Sequence, residues 1–89
     1  MLLGKRIKEL REKKEILQRQ LAASLEIDTP MFSKIERGER RAKREQVIKL
    51  AELLGTDAEE LLTLWLASQV IEIIKDEDMA IDVLNVAAE

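Results

Sequence analysis

The 89-residue chain has no cysteine, no histidine and no tyrosine. Without cysteine there is neither a disulfide framework nor a thiolate metal site. Without histidine the commonest general base and the commonest zinc ligand are missing, and no Ser-His or Cys-His pair can be assembled. The remaining carboxylates are spread along the chain beside Lys and Arg neighbours, the pattern of solvated helix faces. These absences lead us to expect a protein that is not an enzyme and that holds no metal and no cofactor.

Aromatic residues are nearly absent too: Phe32 and Trp65 are the only two, and Leu, Ile and Val supply most of the apolar content. With one proline, three glycines and few strand-favouring clusters, the chain reads as all-α. Hydrophobic residues at 46% are enough for a compact core despite 37% charged residues. One small domain of five to six helices is expected. No basic-then-apolar leader opens the chain, so a cytoplasmic protein is expected.

The net charge of −3 conceals an uneven distribution. Residues 1–55 hold 14 Lys and Arg against 9 Asp and Glu, a balance of +5, whereas residues 56–89 hold only Lys75 against 9 acids, a balance of −8. A basic front and an acidic back suit a nucleic-acid partner.

Leu3, Ile7 and Leu10 recur at helical spacing with charged residues between them, which predicts a first helix. A second begins near Gln18, with Leu21, Ala22 and Leu25 inward, and the connection Glu26-Ile27-Asp28 follows it. Asp28 is a good N-cap and Pro30 is tolerated in a first turn, so a third helix is predicted from about Thr29 to Glu36, burying Phe32 and Ile35 and stopping at Gly38. A charged loop, residues 39–43, leads to a fourth helix with Val47, Leu50, Ala51 and Leu54 inward and Gly55 at its end. Asp57 and Glu60 have the spacing of a capping box at the head of a fifth helix. Asp76, Glu77 and Asp78 are expected to break and recap the chain ahead of a sixth, with Met79, Val83, Val86 and Ala87 on one face.

The fifth helix is apolar nearly all round, and its run of about 14 residues falls short of the roughly 20 needed to span a membrane. It needs cover on more than one side. A subunit interface of Leu64, Trp65, Val70, Ile71 and Ile74 is one solution, and a sixth helix folded back within the subunit is the other.

Arg37, Arg40, Arg41, Lys43 and Arg44 form a basic run, and Arg40 to Arg44 sit just ahead of the fourth helix, where cations oppose the helix dipole at a cost of a few tenths of a kcal/mol each. A sequence tuned only for folding favours acid there. Phosphate binding explains the placement, because the free amides of that helix end join the cations on a nucleic-acid backbone.

Two short helices joined by about three residues, with small Ala22 at their crossing, form a helix-turn-helix. The runs Gln18-Arg19-Gln20-Leu21-Ala22, Ser33-Lys34-Ile35-Glu36-Arg37-Gly38 and Leu50-Ala51-Glu52-Leu53-Leu54-Gly55 occur in this order, and the segment Ile7 to Leu62 resembles the Cro/phage-repressor (XRE) helix-turn-helix family. The family usually has Gly at the end of the first helix and in the turn. Glu15 and Glu26 stand there instead, and a left-handed backbone costs a non-Gly residue about 1–2 kcal/mol, so turns of different detail are expected.

The resemblance implies a phage-repressor-like fold with a DNA-binding domain over residues 1–62, and the apolar fifth helix makes residues 63–89 a C-terminal helical extension expected to serve dimerisation within one structural domain. It implies that the exposed side of the third helix enters the major groove of double-stranded DNA, presenting Thr29, Pro30, Ser33 and Lys34. Lys34 can donate to guanine O6 and N7, and Thr29 or the Pro30 ring can meet a thymine methyl. Gln18 would touch phosphate. A homodimeric transcriptional regulator, similar in size to restriction–modification controller proteins and small repressors, is the expected function. The alternatives are an antitoxin whose C-terminal helices also bind a partner protein, and an interaction module without DNA binding.

Overall fold

In the computed structural model, which describes residues 2–89, the chain forms six helices and, among those residues, no strand. They are α1 (Leu2–Lys13), α2 (Gln18–Ser24), α3 (Thr29–Glu36), α4 (Arg44–Leu54), α5 (Ala58–Ile74) and α6 (Ala80–Ala87). Phe32, Ile7, Leu50, Leu54, Leu61 and Val47 are the largest fully buried side chains, one contribution or more from each of α1, α3, α4 and α5. Around them α2 packs on α3, α4 on α5, and α1 lies across α3, α4 and α5.

The helix starts follow local chemistry. Asp28 accepts the Met31 amide at 2.7 Å, as its place before Thr29-Pro30 predicts. At α2 and α4 it is the glutamine three residues in that reaches back: Gln20 accepts the Leu17 amide and Gln46 the Lys43 amide, both at 2.8 Å. These are half capping boxes, because neither Leu17 nor Lys43 carries a side-chain acceptor. The full box expected at α5 does not form. Asp57 accepts the Glu59 amide at 3.1 Å, but the Glu60 carboxylate turns away to the Thr56 hydroxyl and the Arg6 guanidinium, each at 2.8 Å. These partners hold Glu60 below the ordinary carboxylate range, the Thr56 hydrogen bond first and Arg6 second.

Four successive helices end alike, each with a left-handed residue and a paired set of backbone bonds. After α1, Ile16 donates to Arg11 and Glu15 to Glu12; after α2, Ile27 donates to Ala22 and Glu26 to Ala23. Gly38 and Gly55 occupy the same place after α3 and α4. This is the Schellman arrangement. Glu15 (φ 56°) and Glu26 (φ 58°) take the conformation usually left to glycine, so the turns are kept and the residues bear the strain, contrary to the altered turns expected from the sequence.

Gly4 is buried on α1, and a Cβ there would stand 2.1 Å from the Glu36 carbonyl oxygen. Its missing side chain brings α1 against the C-terminal end of α3.

α5 runs unbroken across the expected boundary at residues 62 and 63. Leu61 sits in the core, with Leu62, Leu64 and Trp65 packed against it, whereas Leu66, Val70, Ile71 and Ile73 are exposed, Ile73 to 78%. No residue of α6 is buried, and Ile81 and Val86 remain more than two-thirds exposed. The fold-back that would hide both faces within one subunit is not formed. The expected acidic recap is absent too: Met79 occupies the cap position and makes no side-chain bond.

Candidate nucleic-acid interface

Packing decides which way α3 faces. Phe32, Ile35 and Glu36 are buried, leaving Thr29, Pro30, Ser33, Lys34 and Arg37 along the other side at i, i+1, i+4, i+5 and i+8. Thr29, Pro30, Lys34 and Arg37 are exposed and Ser33 is half-buried. The four expected base-reading residues therefore share one stripe, and Arg37, expected with the phosphate-binding loop, shares it with them. Its guanidinium donates to the Ser33 hydroxyl, and its Nε lies 2.6 Å from Glu39 Oε2. Arg37 holds the Glu39 carboxyl below its usual range, with the charge of Lys34 adding to the effect. In the free chain the Ser33 hydroxyl thus already accepts a hydrogen bond.

What holds α3 in place is an ion pair that the sequence reading missed. Glu36, its side chain 3% exposed, receives Arg11 Nε at 2.7 Å and Nη2 at 3.1 Å, and Arg11 Nη1 donates to the Ile16 carbonyl at 3.0 Å. The hydrogen bond to Glu36 is the largest cause of a raised Arg11 pKa. Gln18 Nε2 donates to the same carboxylate at 3.0 Å. The Gln18 side chain, expected at phosphate, is directed inward and ties the start of α2 to the end of α3. Every buried polar side-chain atom among the described residues has a partner, so this cluster is complete as it stands. Sequence offered no signal for it, since its members lie 18 and 25 residues apart with nothing periodic to connect them.

Beside Gln18 in the first turn of α2 stands Arg19, exposed and without an ion-pair partner among the described residues. It was also missed. The signal was its place in the sequence, since a cation in the first turn of α2 opposes the helix dipole just as Arg44 does at α4.

Between α3 and α4 the loop 39–43 is tethered at its middle. Ala42 is buried, and its carbonyl accepts the indole N–H of Trp65 at 2.8 Å. Arg40, Arg41 and Lys43 flank this anchor, exposed and without ion-pair partners among the described residues. Arg44, the first residue of α4, is placed differently from the loop cations: its guanidinium lies over the Trp65 ring, 5.3 Å from the centroid. Arg40 and Arg41 also border a cleft of about 210 Å³ against Leu3, Trp65, Ser68, Gln69 and Glu72.

Of the five residues expected at a subunit interface, only Val70 and Ile71 are exposed. Leu64 and Trp65 pack against the core of their own subunit, and Ile74 is buried. The exposed large apolar residues of this region are instead Leu66, Val70, Ile71 and Ile73 of α5 and, beyond it, Met79, Ile81, Val83, Leu84 and Val86.

No helix among the described residues is long and apolar enough to cross a membrane, and no acidic cluster there could hold a metal ion. No curated protein and no solved structure matches the chain. A family model described as a helix-turn-helix domain does match, over residues 2–64, a span that takes in α1 to α4, the outward stripe of α3 and the first part of α5. With more than two-thirds of its length matched and its two central helices so arranged, the chain belongs to the helix-turn-helix domain family.

Proposed function

We propose that the protein is a non-enzymatic, cytoplasmic, sequence-specific DNA-binding transcriptional regulator that acts as a homodimer. The observation that carries this reading is the division of α3, whose inner side is locked by Phe32, Ile35 and the Arg11–Glu36 pair while its outer stripe is left to solvent. A helix held from behind, with a polar and cationic outer face, is suited to the major groove. Lys34 and Thr29 with Pro30 read base edges, and Ser33 with Arg37 joins them once Arg37 exchanges Glu39 for DNA. Arg40, Arg41, Lys43 and Arg44 hold phosphate, aided by the amides at the start of α4. Gln18 contributes through its place at the start of α2, beside Arg19, rather than through its side chain.

Residues 1–62 supply the DNA-binding part, and residues 63–89 the dimer element, with Val70 and Ile71 at its centre and Leu66 and α6 added. Selection of bound sequences from a random DNA pool should return a motif of twofold symmetry with half-sites about 10 base pairs apart. Lys34→Ala should relax one position of that motif, at a cost of about 1–3 kcal/mol of discrimination. A pool that yields no enriched motif rejects the reading.

The exposed apolar side of α6 favours a second reading, an antitoxin that covers this surface with a toxin. Co-expression with the product of a neighbouring gene distinguishes the two, since an antitoxin also pairs with its twin: a stable complex of the two chains supports the antitoxin, and a homodimer that takes up no such partner supports regulation by a twin alone.

A further inference from the structure

The cations of the loop between α3 and α4 present a physical problem. Arg40, Arg41, Lys43 and Arg44 crowd into five positions, where mutual repulsion and the dipole of α4 both work against a fixed arrangement. A loop left to itself would spread, and ordering it on DNA would cost affinity.

Trp65 addresses both difficulties from α5. Its indole N–H reaches the Ala42 carbonyl at 2.8 Å, in the middle of the run, and its ring face lies 5.3 Å from the Arg44 guanidinium. Ala42 itself is buried, so the loop has one anchored residue with two arginines before it and Lys43 and Arg44 after it. The ring supplies the negative face that the α4 terminus denies to Arg44. A side chain that only filled the core would need neither the directed N–H bond nor the stacked cation.

We propose that Trp65 is a positioning residue for DNA binding, holding the loop 39–43 and Arg44 in the arrangement that meets the phosphates. The proposal rests on the phosphate-binding reading of that loop. It acts through Ala42 and Arg44, and Trp65 touches no DNA itself.

The test uses the full chain and Trp65→Phe, which keeps an aromatic face but loses the N–H donor. The variant should melt cooperatively with native helicity. Its affinity for the selected DNA should fall about five- to tenfold, the equivalent of one lost hydrogen bond. The slope of log affinity against log salt should become shallower by about one per subunit, because fewer phosphates are neutralised. Trp65→Phe combined with Arg40→Ala and Arg41→Ala should weaken binding by less than the sum of the separate losses, because the Ala42 anchor that Phe removes positions these two cations. Wild-type affinity and slope in Trp65→Phe, or fully additive losses in the combined variant, would overturn the proposal.

Two readouts do not depend on DNA. Backbone relaxation should show residues 39–43 ordered in the wild type and mobile in Trp65→Phe. In the wild type the single indole N–H should exchange slowly with solvent, and Arg44→Ala should alter the fluorescence of the only tryptophan. If the loop loosens as described yet the wild type binds no DNA, the DNA-binding reading fails and the positioning of the loop stands. A rapidly exchanging indole N–H overturns the positioning itself, even if Trp65→Phe does not fold.

Discussion

Replacing Glu15 and Glu26 by glycine should stabilise the protein. Each sits in the left-handed region, at φ 56° and 58°, and closes a Schellman turn after α1 and α2. For a residue with a Cβ that conformation costs about 1–2 kcal/mol. Glycine removes the strain but gives the unfolded chain more freedom, at a cost of about 0.5–1 kcal/mol. The difference leaves a gain of about 0.5–1 kcal/mol at each site. Both residues are exposed, neither has an ion-pair partner among the described residues, and the two turns share no hydrogen bond, so the gains should add. For a domain of this size the double variant should melt at least about 4 °C above the wild type. Urea unfolding should show the same gain as a raised midpoint at unchanged slope. Glu26→Ala is the control: it deletes the same charge but retains a Cβ, and should gain little. Equal gains from alanine and glycine would assign the effect to charge, and a loss with glycine would refute the strain argument outright.

Gly4→Ala should cost about 1–3 kcal/mol in thermal unfolding, because the added methyl meets the Glu36 carbonyl at 2.1 Å and α1 must shift; unchanged stability would disprove that close approach. Arg11→Ala should cost about 3–5 kcal/mol, since it leaves Glu36 as a buried and largely uncompensated charge, and chemical denaturation measures it directly. Arg40→Ala with Arg41→Ala should weaken binding to specific and random DNA alike and make the salt dependence shallower by up to about four for a dimer, leaving the selected motif intact. Glu60 has a folded-state pKa below its unfolded value, so its contribution is full above the ordinary carboxylate range and is lost as pH falls through the lowered value. Carbon-detected NMR titration should find that depressed value and show Thr56→Ala moving it back up.

Helix boundaries were legible because their causes are local. Asp28 ahead of Pro30, Gly38 and Gly55 after the apolar positions, and Asp57 before α5 each act within a turn of where they stand, and each ends or starts a helix where the sequence places it. The inward residues of α1 to α4 follow from 3.6-residue periodicity in the same way, which is why the helix-turn-helix and its outward stripe could be read without coordinates.

The long polar side chains were a different matter. Gln18, Arg37, Arg44 and Trp65 each have reach enough for several partners, and only the packed chain selects among them: Glu36 for Gln18, Glu39 and Ser33 for Arg37, Ala42 and Arg44 for Trp65. Glu15 and Glu26 show tertiary structure overruling a local preference. Ile16 and Ile27, the residues that follow them, pack against the core, and that packing keeps the chain in turns its own residues disfavour. Composition and period thus determined an all-α chain of five to six helices with its cations gathered in residues 1–55. The burial of Glu36 against Arg11, the contact of Gly4 with the end of α3 and the exposure of α6 were decided only in three dimensions, because they depend on how helices distant in sequence meet.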